Sequence, residues 1–173
     1  MPRQVRLKLK NADSIFMAHK NTCLICRRIQ LIRQQNPYFI KELKTGYVVL
    51  GDFQFFRGYT LFLCKIHKNE LHNLSAPFRR QFLWEMSVVA EAVFKAFHPR
   101  KLNYELLGNT DRHLHWHIIP RHKNDPLPKR TIWNIDKKIR NAASTRPSAS
   151  ELKSLKTQLS KKLNPLIKKY LLR

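Results

Sequence analysis

Three histidines alternate with large apolar residues in one short stretch of the chain, His113-Leu114-His115-Trp116-His117-Ile118-Ile119-Pro120. Because successive side chains of a β-strand point to opposite faces, this alternation predicts a strand with three imidazoles on one face and a core on the other. A neutral imidazole, with a pKa of about 6.5, offers a nitrogen lone pair for attack on phosphorus, proton transfer or metal binding. His113, His115 and His117 therefore predict either a metal site or a nucleophile with supporting imidazoles.

Two cysteines near the start of the chain, Cys23 and Cys26, form a C-x-x-C. Two thiolates at this spacing can supply half of a tetrahedral zinc site, with the other ligands coming from elsewhere in the fold. Unliganded buried thiols are the alternative that the spacing leaves open. Three cysteines cannot all pair, and in a reducing compartment the C-x-x-C indicates metal or redox chemistry before a structural disulfide. Cys64 lies in an apolar run, which predicts a packed core residue.

The strands that must position the histidines are predicted by residue types and turn residues. Residues 38–44, 46–50 and 59–65 are rich in β-branched and aromatic side chains, which favours strands. A further strand is predicted over residues 102–107, followed by a tight turn over 108–112. This strand and the histidine strand would therefore form an antiparallel hairpin.

Three helices are predicted around these strands. A short helix starts at the C-x-x-C and ends before Pro37, and a long amphipathic helix starts at Ser75 and ends at His98. The aromatic stripe of the long helix indicates packing rather than a cofactor site. A capping box at Ser148 opens a last helix, bent at Pro165, with leucines on one face and lysines on the other. That helix is predicted to pack against its own domain or a partner subunit, with a membrane-surface helix as the alternative.

The length and composition bound the class of protein. A chain of 173 residues suffices for one domain with an appended element. It has no apolar run that could span a bilayer and no apolar signal segment near its start, so we expect a cytoplasmic protein without membrane insertion. The formal charge of +23 predicts attraction to polyanions such as nucleotides, nucleic acid or anionic lipid. Bulk composition of the source proteome explains the charge equally well, because no recognisable nucleic-acid module accompanies it.

The histidine stretch together with Arg121 resembles the motif of the histidine triad superfamily of nucleotide hydrolases and transferases, H-φ-H-φ-H-φ-φ with φ apolar. The order of the surrounding features agrees: a C-x-x-C, a strand pair, a Lys-x-His at residues 65–67, a long helix and a hairpin. The resemblance spans residues 23–133.

This resemblance implies an α+β fold, in which an antiparallel sheet of about five strands packs with a long central helix. It also implies a homodimer formed through that helix and an edge strand. Residues 1–22 would be a basic lead, residues 23–140 the histidine triad domain, and residues 141–173 a linker followed by a basic amphipathic C-terminal helix.

The resemblance further implies a reaction in which His115 attacks the α-phosphorus of a nucleotide and water then hydrolyses the nucleotidyl-histidine. His117 would hold a phosphoryl oxygen, and hydrogen bonds around the ring would fix the tautomer of His115. His113, the first of the three in chain order, completes the implied set of catalytic histidines. The residues implied to contact the substrate are Asn109, Thr110, Asp52, Arg121 and Ile25.

Two features depart from the family pattern. Many relatives carry a longer glycine-rich loop before the first histidine, whereas only Thr110, Asp111 and Arg112 follow Asn109 here. Tyr59 stands where several relatives carry an additional histidine. The sequence therefore leaves open which residues contact the leaving group and whether a relay of four histidines exists. For Asp52, a turn residue after a strand is an equal alternative to a ribose contact.

In a subset of the family the C-x-x-C pairs with the Lys-x-His histidine and the first triad histidine to bind zinc. The matching residues here are Cys23, Cys26, His67 and His113. The resemblance thus implies a structural zinc ion with a Cys2His2 ligand set. Such an ion would lock the strand that carries His115 and remove His113 from acid–base chemistry.

The leading functional hypothesis is a nucleotidyl hydrolase or transferase that acts on a dinucleoside polyphosphate, such as a diadenosine polyphosphate, or on a nucleoside phosphoramidate. A triad-containing processor of nucleic-acid ends is the first alternative, motivated by the charge. The second is a nucleotide-binding interaction protein whose C-terminal helix recruits a partner. The fold does not choose among substrates.

Overall fold

The computed structural model describes residues 23–32 and 35–171, and the predicted basic lead over residues 1–22 lies outside the described residues. The helices are α1 (Leu24–Ile32), α2 (Ala76–Phe97), α3 (Lys137–Arg140) and α4 (Ala149–Tyr170). The strands are β1 (Phe39–Glu42), β2 (Gly46–Leu50), β3 (Thr60–Cys64), β4 (Lys101–Glu105) and β5 (His115–Arg121).

The five strands form one antiparallel sheet in the order β1-β2-β3-β5-β4. The histidine strand β5 therefore lies inside the sheet, hydrogen-bonded to β3 on one side and to β4 on the other. The predicted hairpin is confirmed, with Glu105 opposite His117 in the register of β4 and β5. The α+β architecture with a long central helix and a C-terminal helix is likewise confirmed.

Strand β5 begins at His115, two residues later than the alternation of histidines predicts. Before that point the backbone bonds to loops instead of a neighbouring strand. The N–H of His113 donates to the carbonyl of Asp111 at 2.7 Å, and the N–H of Leu114 donates to the carbonyl of Lys68 at 2.8 Å. His113 consequently lies in the turn that enters the strand.

The register of β3 and β5 shows which face carries the histidines. Residues directly opposite each other in a sheet share a face. His115 lies opposite Leu63 and His117 opposite Leu61, and both leucines belong to the small core beneath α1 with Ile25. The apolar residues between the histidines belong to the larger core beneath α2. The histidine face is therefore the α1 face, and the opposite face anchors the strand.

A buried carboxylate on α2 fixes the turn between β1 and β2. Glu85 is 1% exposed and accepts hydrogen bonds from the backbone N–H groups of Lys44 at 3.1 Å and Thr45 at 2.9 Å, as well as from the Thr45 hydroxyl. Gln81 donates to the same carboxylate at 3.0 Å. A buried charge is tolerated where hydrogen bonds satisfy it, as they do here. Sequence periodicity treats this helix face as apolar packing and misses the carboxylate.

The C-terminal helix α4 packs on α2 of the same chain. The predicted capping box is present, because the Ser148 hydroxyl accepts from the Glu151 N–H while the Glu151 carboxylate accepts from the Ser148 N–H. The helix continues through Pro165 to Tyr170. Its apolar face is buried in the larger core through Leu155, Leu159, Leu163, Leu166 and Ile167.

The burial of these leucines means that the apolar face of α4 is covered by its own domain. The prediction that α4 packs against its own chain is therefore confirmed over the membrane-surface alternative. Among the described residues, no helix combines the length and the apolar character needed to cross a bilayer.

Candidate functional site

A cavity of about 600 Å³ lies on the α1 face of the sheet, and His115 and His117 form part of its wall. The other walls come from α1, from the loop after β2, from the loop before β5 and from the segment between β5 and α4. The cavity is therefore a meeting point of five parts of the chain, with the two histidines presented by the most rigid of them.

The ring of His115 is held by one hydrogen bond to its own backbone. Its Nδ1 lies 2.6 Å from the carbonyl oxygen of His113. Because a carbonyl oxygen only accepts, Nδ1 carries the hydrogen and donates it. The other ring nitrogen, Nε2, is then unprotonated in the neutral ring and is available to the cavity that the ring lines. This is the tautomer that a nucleophilic histidine requires.

His117 is held between two aromatic rings. Its Nδ1 lies 2.5 Å from the Tyr59 hydroxyl oxygen, and the two rings are nearly parallel, with centroids 6.0 Å apart and 9° between planes. The ring of Trp133 meets His117 edge-on, at 6.0 Å and 87°.

The protonation of this pair follows from its burial. Burial raises the pKa of Tyr59, against the opposing positive charges of Arg28 and Arg140, so the phenol stays protonated. Burial, helped by the neighbouring His115, lowers the pKa of His117 to about 3. The Tyr59 hydroxyl can donate to Nδ1 of His117, and in that tautomer Nε2 carries the hydrogen and can donate it to a ligand. Tyr59 thus gives His117 a fixed hydrogen-bond partner without a fourth histidine.

Four side chains converge at the end of the sheet next to the cavity: Cys23, Cys26, His67 and His113. Their ligand atoms all lie within 4.8 Å of one another. The Sγ of Cys26 lies 3.3 Å from Nδ1 of His67 and 3.4 Å from Nδ1 of His113, and the Sγ of Cys23 lies 3.6 Å from Nδ1 of His113. Ligand atoms around a tetrahedral zinc ion are roughly 3.4–3.8 Å apart, so this cluster could hold zinc.

The tautomer of His113 fits the same interpretation. Its Nε2 donates to the carbonyl oxygen of Cys64 at 2.8 Å, which leaves the lone pair of Nδ1 directed at the two thiols. Burial lowers the pKa of His113 to about 4, so the ring is neutral and able to ligate. A backbone carbonyl that fixes the outer nitrogen of a ligating histidine is a common support of metal sites.

Burial also raises the pKa of the Cys64 thiol to about 11, and Cys64 packs in the core as predicted.

Helix α1 and the loop after β2 bring two of the residues expected to contact substrate, Ile25 and Asp52, to the cavity wall. The carboxylate of Asp52 forms an ion pair with the guanidinium of Arg28, which also lines the cavity. Arg28 therefore orients Asp52 and cancels its charge. Asp52 lies just after β2, where the alternative was a simple turn residue. Its carboxylate has a defined partner whether Asp52 binds substrate or only ends the strand.

The loop before β5 brings Asn109 and Thr110 to the cavity wall. Gly108 precedes them with φ +92°, a conformation that other residues adopt with strain. Asp111 follows and also lines the cavity. The shortened loop thus still places an amide and a hydroxyl beside the histidines.

Arg121, expected to help recruit the polyanionic substrate, lies outside the cavity lining. Its guanidinium is buried and donates to the side chains of Asp125 and Asn103 and to the carbonyl oxygens of Leu127 and Arg130. Arg121 lies on the histidine face of β5 with its guanidinium 5.0 Å from the centre of the Phe56 ring, and its hydrogen bonds fix the loop after β5.

Three cations of the cavity wall, Arg28, Lys137 and Arg140, are not among the residues that the sequence predicted for the site. In a chain with 34 lysines and arginines, no single cation stands out. Trp133 is an isolated large apolar residue in a polar segment, and that isolation is the one signal in the sequence that could indicate a role. In the sequence, Tyr59 is marked only by standing where several relatives carry an additional histidine.

A sequence model of the HIT (histidine triad) domain matches residues 33–124, just over half of the chain. The chain belongs to the HIT family. HIT proteins form a superfamily of nucleotide hydrolases and transferases, and the matched region contains all three triad histidines. No curated protein matched the sequence.

Solved HIT structures share the fold at low sequence identity. A histidine triad protein from Bradyrhizobium japonicum is 24% identical, with a TM-score of 0.64 over 72% of this chain and 89% of its own. A hypothetical histidine triad nucleotide-binding protein from Sulfolobus tokodaii is 19% identical, with a TM-score of 0.64 over 86% and 96%. A zinc-bound histidine triad family protein from Mycobacterium smegmatis is 19% identical, with a TM-score of 0.62 over 87% and 99%. At these identities the likeness shows the fold alone.

Proposed function

We propose that this HIT protein cleaves nucleotides at the α-phosphate through a nucleotidyl-histidine intermediate on His115. The observation that carries the proposal is the hydrogen bond from Nδ1 of His115 to the carbonyl oxygen of His113, which leaves Nε2 unprotonated at the cavity. The substrates are dinucleoside polyphosphates, such as diadenosine polyphosphates, or nucleoside phosphoramidates, and the product is a nucleoside monophosphate.

The proposed reaction has two steps. Nε2 of His115 attacks the α-phosphorus, an N–P bond forms, and the bond from phosphorus to the leaving oxygen or nitrogen breaks. Water then attacks the same phosphorus, the N–P bond breaks with its electron pair returning to Nε2, and the proton lost by the water passes to bulk solvent as the monophosphate leaves. His117 donates its Nε2 hydrogen to a phosphoryl oxygen, where negative charge must be stabilised in both transition states.

The remaining contacts are assigned by their position in the cavity. Ile25 packs against the base, and Asp52, held by Arg28, accepts hydrogen bonds from the ribose hydroxyls. Asn109 and Thr110 donate to the phosphates near the scissile bond. These assignments follow the family resemblance at residues that the structure places around one cavity.

We also propose that Cys23, Cys26, His67 and His113 hold a structural zinc ion. The donor set and the tautomer of His113 support this assignment. When bound, the ion supplies a rigid cross-link between the start of α1, the end of β3 and the start of β5. His113 then has a ligand role, and the proton transfers fall to His115, His117 and water.

Intact mass spectrometry after brief incubation with a panel of nucleotides tests the reaction. We expect the native protein to gain the mass of a nucleoside monophosphate, and the His115→Gln variant to gain none and lose turnover by several orders of magnitude. His72→Ala, an exposed histidine outside the cavity, is the matched control and should behave as the native protein. Turnover by His115→Gln with the adduct still trapped would contradict the proposal.

A further inference from the structure

One wall of the cavity is built by residues 131–141, which lie beyond the part of the chain that the HIT model matches. We call this segment the cap. Ile132 and Ile135 anchor it in a buried cluster with Phe56 and Ile119. Trp133 extends from the cap towards His117, and its Nε1 donates to the carboxylate of Glu105 at 2.7 Å. The cap is therefore fixed to the sheet by core packing and is not a loose connection.

The cap presents two cations to the cavity, Lys137 and Arg140. Nε of Arg140 donates to the carbonyl oxygen of Ile135 at 2.9 Å, and its guanidinium lies 4.7 Å from the centre of the Trp133 ring, which holds the side chain in place. Within residues 23–32 and 35–171, neither cation forms an ion pair.

The charge of the cap contrasts with the charge of the opposite wall. On the α1 wall, Arg28 is neutralised by Asp52. Asp111 is the one carboxylate in the rest of the described lining, and Glu105, outside the lining, accepts from Nε1 of Trp133. The two cap cations are therefore lining cations without an ion-pair partner among the described residues. Uncompensated cations in a concave wall attract anionic groups and raise their local concentration.

The geometry of the proposed reaction indicates which anionic group the cap meets. In phosphoryl transfer the attacking and leaving atoms are roughly in line through phosphorus. With His115 in the sheet and the nucleoside against α1, the leaving group departs away from both. The walls that remain are the loop after β2, the loop over residues 107–111 and the cap, and of these the cap alone carries lysine or arginine side chains in the described lining.

We propose that Lys137 and Arg140 bind the phosphate chain of the leaving group and make this protein selective for nucleotides with a polyphosphate leaving group. This inference rests on the proposed function. When the bond from phosphorus to oxygen breaks, the electron pair stays on the terminal oxygen of the leaving chain, and the two cations stabilise that added charge. An amine leaving group instead takes up a proton and departs uncharged, so it gains nothing from the cap.

The test compares two substrates with the same nucleoside, diadenosine tetraphosphate and adenosine 5′-phosphoramidate. For each protein we take the ratio of kcat/KM for the tetraphosphate to kcat/KM for the phosphoramidate. We expect Lys137→Gln and Arg140→Gln each to lower this ratio by about tenfold or more, as for the loss of one charge-assisted hydrogen bond. Inorganic tripolyphosphate should inhibit both variants more weakly than the native protein. Lys138→Gln, an exposed neighbour outside the cavity, should leave the ratio and the inhibition unchanged.

Arg140 also supports the cap through its bond to Ile135, so Lys137→Gln decides the result if Arg140→Gln fails to fold. An unchanged ratio in Lys137→Gln, with both substrates turned over by the native protein, overturns the role of the cap and leaves the proposed function standing. A native protein that forms no nucleotidyl adduct with either substrate overturns both.

Discussion

At the level of single residues, the three histidines have three different environments although they share a motif. His113 is turned by the Cys64 carbonyl towards the two thiols, His115 is fixed by a backbone carbonyl, and His117 is fixed by the Tyr59 hydroxyl. In each ring one nitrogen is committed to the protein and the other is left for a ligand. The hydrogen bond to the committed nitrogen therefore decides what each imidazole can do.

The half-buried His117 gives a prediction for stability against pH. Its folded pKa of about 3 lies below the ordinary value of 6.5, so the unfolded chain takes up the proton first as the pH falls. The stability that this burial allows is complete above pH 6.5 and is lost between pH 6.5 and about 3, by up to about 1.4 kcal/mol per pH unit.

The measurement is urea unfolding of the native protein and of His117→Asn, which does not titrate, at about pH 7 and about pH 5. We expect the native protein to lose more stability than the variant over this interval, by about 1–2 kcal/mol. Both proteins keep the cysteines, His67 and His113, so metal loss affects them alike. Equal losses in the two proteins would show that His117 does not titrate below its ordinary pKa.

At the level of secondary structure, the ligand cluster joins helix α1 to the paired strands β3 and β5. Cys23 and Cys26 stand at the start of α1, His67 follows β3, and His113 precedes β5. Helix α1 is short and contributes one buried residue, Ile25, to the core. A helix of this length is marginal by itself and needs tertiary support. A metal ion in the cluster would supply that support and fix one wall of the cavity.

Zinc content and hydrogen exchange test this arrangement. We expect the native protein to contain a single zinc ion per chain, Cys26→Ser to contain none, and Cys64→Ala to retain it, because Cys64 is not a ligand. Chelation should reduce the protection of the α1 amides by a large factor and leave α4 protected. Zinc retained in Cys26→Ser, or an α1 that stays protected after chelation, would contradict the prediction.

At the level of the whole molecule, the C-terminal helix is part of the core. Its leucines contact α2, on the side of the sheet opposite the cavity, while its lysines lie exposed. Helix α4 therefore contributes part of the positive surface through its lysines and stabilises the domain through its leucines. A homodimer through α2 and an edge strand stays a prediction, and any such interface must use surface of α2 that α4 leaves open.

Truncation of a leucine on α4 measures how much this helix stabilises the domain. Leu159 is fully buried, so Leu159→Ala should lower the free energy of unfolding by about 2–5 kcal/mol through lost burial and a cavity. Lys161→Ala, an exposed position two residues later, should change it by less than about 0.5 kcal/mol. Both are measured by urea unfolding followed by circular dichroism, and a Leu159→Ala protein as stable as the control would show that α4 does not contribute to the core.

The sequence by itself determined the elements and the chemistry of the central strand. Alternation of apolar residues predicted β5 and its hairpin with β4, helical spacing predicted α2, and the Ser148 capping box predicted the start of α4. These signals succeed because they depend on local periodicity and on hydrogen bonds between residues close in sequence. The four residues of the metal cluster followed from family resemblance, which records a long-range arrangement that spacing cannot supply.

The tertiary structure alone decided which cations face the cavity and which are structural. Arg121 stands beside the histidine motif in sequence, yet its guanidinium is buried against Asp125 and Asn103. Arg140 stands far from the motif, yet lines the cavity. The physical reason is that a cation's role depends on where the backbone places its charge and on which carboxylates or carbonyls satisfy it. Both are set by contacts between residues distant in sequence, which neither composition nor periodicity encodes.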